Sequence, residues 1–209
     1  MKRICFTIAI CFLGVTAFAQ KVYDFNVTCK TAYTEIMKLK LESGAKLIAQ
    51  ARADNPDNLI PDILEGYVDF FVLFFNEDPE EYKVRKGNFE KRLQAFDSGP
   101  KNSPFYRYCK ALTYIQRATV KIKFGERFGA GWDFKKANSQ IKDNHSKFPN
   151  FQPNNMILGP IQVVLGTVPE GYKWITSLFG MKGSVSDFNP RYCTTLHEIM
   201  DRIGPYLTF

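Results

Sequence analysis

The sequence predicts an all-α fold, and three observations carry that prediction. A capping residue stands directly before proline at Asp78-Pro79, Ser103-Pro104 and Asn189-Pro190. There the cap side chain can accept a first-turn N–H, and proline loses nothing by having none to give. Apolar residues recur at three- and four-residue steps through long segments, the period of a helix with one buried face. Period-two alternation, the mark of a half-buried strand, is scarce. The chain has 209 residues, 45% hydrophobic and 23% charged, a balance that supplies one sizeable core and excludes a disordered or collagen-like polymer.

At the N-terminus, Lys2 and Arg3 precede an uncharged run from Ile4 to Phe18, closed by Ala17-Phe18-Ala19. Basic, apolar and small-residue regions in that order predict a signal peptide over residues 1–19, cut before Gln20. The run falls short of the ~20 residues a helix needs to cross hydrocarbon. Cys11 follows Ile8-Ala9-Ile10, with a bulky residue where a lipoprotein signal has a small one. The expected location is therefore an exported compartment, which in a Gram-negative bacterium is the periplasm or the periplasmic face of the outer membrane. Residues 20–209 form the folded domain.

Within that domain, Leu59 to Phe75 is the most apolar stretch, interrupted at helical spacing by Asp62, Glu65 and Asp69. The pattern predicts a core helix with one wet edge. Asp78-Pro79-Glu80-Glu81 predicts a helix over 79–97, ending before Ser98-Gly99-Pro100. After Ser103-Pro104, the residues Phe105, Tyr108, Leu112, Ile115, Thr119 and Ile122 mark one face of a helix about twenty residues long, and that face is expected to be buried. Met156 to Val168 is apolar but short and broken by Gly159-Pro160, so it reads as a buried helix rather than a membrane span. Pro169-Glu170 opens a helix through Phe179, and Asn189-Pro190 opens the last one.

Removing the leader leaves Cys29, Cys109 and Cys193, an odd number at wide spacing. No disulfide framework is legible; one pair could oxidise, or all three thiols pack as small hydrophobes. No metal motif is complete: His197-Glu198 lacks the second histidine of a metalloprotease helix, and Cys193, His197 and Asp201 share a helix face but lack a fourth ligand. His145 stands among polar residues and is expected to face solvent. Asn26-Val27-Thr28 and Asn144-His145-Ser146 are glycosylation sequons, relevant only in a eukaryotic source. Gly125, Gly129 and Gly131 match no phosphate-loop pattern and are expected to shape a turn between helices. The sequence calls for no cofactor.

Two segments share a spacing. Ala32 is followed by Gly44, Ile48, Ala51 and Pro56, and Gly125 by Ala137, Ile141, Asn144 and Pro149, at steps of 12, 4, 3 and 5. These are the steps of a tetratricopeptide repeat, in which small residues let two antiparallel helices approach and proline ends the unit. The second copy adds Phe124-Gly125-x-x-Phe128; the first has Thr31 and Glu35 at the corresponding apolar and aromatic places. The two long predicted helices between them would form a hairpin stacked between the copies. The run Phe124-Gly-Glu-Arg-Phe-Gly-Ala-Gly-Trp-Asp-Phe-Lys-Lys-Ala137, with Phe148-Pro-Asn-Phe151, Leu158-Gly-Pro160 and Val168-Pro-Glu-Gly-Tyr-Lys-Trp174, resembles the tetratricopeptide-like family that includes inclusion body clearance protein and tetratricopeptide repeat protein 39. The resemblance is close over about 60 residues and implies a right-handed array of helical hairpins without catalytic residues. Eukaryotic relatives work at an intracellular membrane, a role that an export signal argues against here.

The expected function is therefore an exported, non-catalytic scaffold for protein–protein interaction; the alternative is an exported all-α hydrolase using Asp62, Glu65 and Asp69. Charge points to where a partner docks: residues 20–78 carry 6 basic and 10 acidic groups, whereas 98–150 carry 11 basic and 3 acidic. Arg107, Lys110, Arg117 and Lys121 fall within about 80° of one another on one helix, alongside Tyr114. This basic ridge is the predicted docking site for an acidic protein segment or an anionic envelope glycan or headgroup; export argues against nucleic acid. The apolar terminus Ile203-Gly-Pro-Tyr-Leu-Thr-Phe209 predicts an array without a capping helix, able to self-associate at that end.

Overall fold

The structure is a computed structural model describing residues 20–167, with side-chain burial described through residue 162. The predicted signal peptide, the helices predicted after Pro169 and Pro190, the Cys193/His197/Asp201 face and the apolar terminus lie outside the described residues.

The fold is all-α. Seven helices are described: α1 (Val27–Met37), α2 (Leu41–Asp54), α3 (Ile60–Asn76), α4 (Pro79–Asp97), α5 (Pro104–Lys123), α6 (Arg127–Lys147) and α7 (Pro153–Thr167). The cap signals work as expected. Asn26 accepts from the Cys29 N–H, Asp78 from Glu80 and Ser103 from Phe105, at 2.8 to 3.3 Å. Each satisfies a first-turn donor that the helix itself leaves unpaired. The predicted limits 79–97 are those of α4, and α5 opens at the predicted Pro104. No described helix is long and apolar enough to cross a membrane.

Each odd-numbered helix packs on the next odd-numbered one, and each even-numbered helix packs on its predecessor and successor. The odd helices thus stand side by side in one layer, with the even helices against them in a second. The main core runs between the layers, from Cys29, Ala32 and Ile36 through Ile60, Leu64 and Phe96 to Ile141 and Ile161. A second cluster of Leu73, Tyr82, Phe89 and Val120 closes the far end of the α3–α4–α5 packing, where the Tyr82 and Phe124 rings stack at 4.2 Å.

An extended strap before α1 ties the chain together. Val22 pairs with the turn between α2 and α3, its N–H donating to Asp57 O and its carbonyl accepting from Leu59 N, both at 2.9 Å. The buried Asn58 side chain holds the Asp24 backbone from both sides. The Tyr23 hydroxyl reaches Phe96 O, and its ring lies so close to Gly99 that a Cβ there would sit 2.6 Å from the hydroxyl oxygen.

Several expectations are corrected. The first copy spans two successive helices, with Ala32 in α1 and Gly44, Ile48 and Ala51 in α2, all buried, and a Cβ on Gly44 would meet Ile36 at 2.4 Å. The second does not. Gly125 adopts φ +79° in the turn between α5 and α6, so its step to Ala137 runs from a turn into a helix rather than across two helices. Ala137, Ile141 and Asn144 are buried on α6, but the hairpin they belong to starts at Pro104. Gly129 lies inside α6 under the Lys121 side chain, so only Gly125 of those two shapes the turn. The face of α5 is buried at Tyr108 and Leu112, but Ile122 at its far end is 60% exposed. His145 is half-buried rather than solvent-facing. Asn144 is fully buried, donating to Pro104 O at 2.9 Å and to Asn154 Oδ1 at 2.7 Å, so this fold cannot carry a glycan there. Cys29 and Cys109 are free and buried; burial pushes both thiols up, most strongly Cys109.

Candidate functional site

The three acids of α3 face a cleft of about 790 Å³ between α2 and α4. Glu65 is exposed at this edge, Asp62 is half-buried and Asp69 buried, and arginines from both flanking helices meet them. Arg52 of α2 donates to Asp62 and to Glu65, each at 2.9 Å. Asp69, 2% exposed, accepts from Arg85 at 2.7 Å, from Asn88 at 3.0 Å and from Arg92, itself 4% exposed. Both oxygens of Asp69 are therefore occupied by three donors, and Asp62 and Glu65 share one guanidinium. Such a network anchors α2 and α4 to α3. Acid–base or nucleophilic chemistry would have to break it first, uncovering buried charge at a cost of several kcal/mol. No group of three histidine, cysteine, aspartate or glutamate side chains among the described residues is arranged to hold a metal ion.

The predicted basic ridge is likewise matched from within. Lys110 donates to Asp97 at 2.6 Å, and Arg117 reaches both oxygens of the buried Asp133 as well as Glu90, at 2.6 to 2.8 Å. Lys121 lies 2.9 Å from Asp133. Tyr114 sits among them, with the Arg117 guanidinium 5.3 Å and the Lys136 ammonium 5.5 Å from its ring centre. Side-chain exposures of 14%, 13% and 21% for Lys110, Arg117 and Lys121 make this a seam joining α5 to α4 and α6. Arg107 alone of the four cations has no ion pair among the described residues.

The odd-helix layer carries a feature that the sequence reading missed. Tyr33 of α1, Ile63 and Tyr67 of α3, Tyr108 and Leu112 of α5 and Met156 of α7 line an almost wholly apolar cavity of about 150 Å³, open at one side between half-buried rings. Ile60, Ile63 and Leu64 form part of its wall and are at most 5% exposed. Burial pushes the Tyr33, Tyr67 and Tyr108 hydroxyls up, and those of Tyr67 and Tyr108 interact across the seam between α3 and α5. From the cavity a ladder of rings continues along α3: Phe25–Tyr33, Tyr33–Tyr67, Tyr67–Phe71 and Phe71–Phe75, at centroid separations of 5.8 to 6.3 Å. It ends at Phe75, 60% exposed, near the similarly exposed end of α5.

A signal for this site is present in the sequence. Ala32-Tyr33 and Gly66-Tyr67 stand 34 residues apart, the period of the tetratricopeptide repeat. They place a small residue and a tyrosine at matching points of α1 and α3.

No protein-family model matches the chain, and no curated protein or solved structure matches it significantly.

Proposed function

We propose that the protein is an exported, non-catalytic helical-repeat scaffold that binds a protein or peptide segment on the face formed by α1, α3, α5 and α7. One observation carries this reading: the three acids of α3 and three of the four cations of the basic ridge are ion-paired within the molecule, whereas the odd-helix layer leaves an aromatic ladder that runs from an open cavity to an exposed phenylalanine. Half-buried rings that lead to an exposed one leave apolar surface of the kind that marks an interaction site. The side-by-side order of the odd helices and the 34-residue step support a stacked-hairpin array in the style of the tetratricopeptide-like family. The hydrolase reading has less support, because its three carboxylates already hold arginines. Placement in the cell envelope rests on the leader, and self-association through 203–209 on the apolar terminus.

Photo-crosslinking in the native envelope tests the docking face. A benzophenone amino acid at position 75 should give a discrete adduct, and one at position 84, equally exposed but on α4, should not. Adducts from position 84 alone would move binding to the even helices, and only self-adducts would replace a partner with a second copy of the chain.

A further inference from the structure

The cavity under the ladder has a size and lining that specify its occupant, an inference that rests on the docking face proposed above. Small-molecule sites usually enclose about 300–1,000 Å³, and 150 Å³ is half the lower bound. That volume is instead close to the ~150 Å³ at which an apolar cavity stays dry and takes up benzene. Among the described residues no charged side chain lines it, so a charged guest would lose its hydration without gaining a partner there. Its aromatic walls offer the edge-to-face contacts that phenyl rings prefer: Phe25 and Tyr33 meet at 77°, Tyr33 and Tyr67 at 70°.

We propose that the cavity is an anchor pocket for one phenylalanine side chain of a partner peptide. The ring fills the cavity between α3, α5 and α7, and the peptide backbone lies along the ladder toward Phe75.

Methyl NMR of the folded chain from Gln20 to Phe209 tests this with defined probes. Benzene should produce saturable shifts at Ile60, Ile63 and Leu112, and N-acetyl-Asp-Phe-amide should do the same at least tenfold more tightly than N-acetyl-Asp-Ala-amide. Leu112→Trp, which places an indole in the cavity, should abolish both responses; Met156→Trp fills it from the rim and serves if the first variant fails to fold. Absence of saturable shifts with benzene, or equal affinity for the two peptides, overturns the proposal. If Met156→Trp is folded and the position-75 adduct is undiminished, the docking face stands and the anchor falls.

Discussion

Helix α3 presents two sides that differ in kind. Toward α2 and α4 it offers Asp62, Glu65 and Asp69, every one clasped by arginine. Toward α1 and α5 it offers Tyr67 and Phe71, rings that touch other rings and still leave a hole and an open edge. The side with reactive-looking chemistry is committed to holding helices together, whereas the side that reads as core retains unused surface. Ion pairs saturate: a carboxylate with two or three donors has nothing further to give. Apolar surface does not saturate in that way, since any added area removed from water still contributes about 25 cal/mol per Å².

The sharpest way to break this contrast is to cut the charged side at its centre. Asp69→Ala leaves Arg92 buried without its counter-ion and should cost about 3–5 kcal/mol in urea denaturation; a loss under about 1 kcal/mol would make the network incidental. Asn144→Ala, which strips Pro104 O and Asn154 Oδ1 of their donor, should cost about 1–3 kcal/mol by the same measurement. Leu39 adopts φ 59° in the turn between α1 and α2, a conformation that penalises a Cβ, so Leu39→Gly should raise stability by about 0.5–1 kcal/mol.

Asp97 supplies a pH test. The hydrogen bond from Lys110 holds its carboxyl below the usual range, against burial that raises it. A depressed carboxylate contributes stability that is present above its unfolded-state pKa and lost as pH falls through the folded value. Because the side chain is 55% exposed, Asp97→Asn should lower neutral-pH stability by less than about 1 kcal/mol and make no difference in strong acid. The smallest stability effect belongs to the open side. Phe75→Ser with Ile122→Ser should stay within about 0.5 kcal/mol of the parent, while the photo-crosslinked adduct from a probe at Phe71 disappears.

What the sequence disclosed and what it hid follow a physical division. The limits of α4 and the start of α5 were legible because caps are local: Asp78 and Ser103 act on N–H groups two residues away. The break at Gly125 was not, because a glycine serves equally as a small packing residue and as the left-handed residue of a turn, and spacing does not separate the two. The basic ridge looked free because its partners stand on other helices. Glu90 lies 27 residues from Arg117 and Asp133 lies 16 from it, distances at which no periodicity links them. The cavity was hidden for the opposite reason. Its residues are the ordinary apolar positions of core helices, and only packing decides which of them meet a neighbour and which leave a gap.

The strap around Val22 has a consequence in time as well as in space. Its bonds join residues 21–24 to 57–59, some 34 residues on, and to Phe96, 73 residues on. The bonds to 57–59 wait only on the turn between α2 and α3, whereas the Tyr23 bond also needs the C-terminal end of α4 in place, and loop closure over such spans gains nothing before then. Closure of Tyr23 against Gly99 is therefore a late folding event, and loss of the Tyr23 hydroxyl contact is an early sign of unraveling. A reporter on that tyrosine would register completion of the fold rather than its onset.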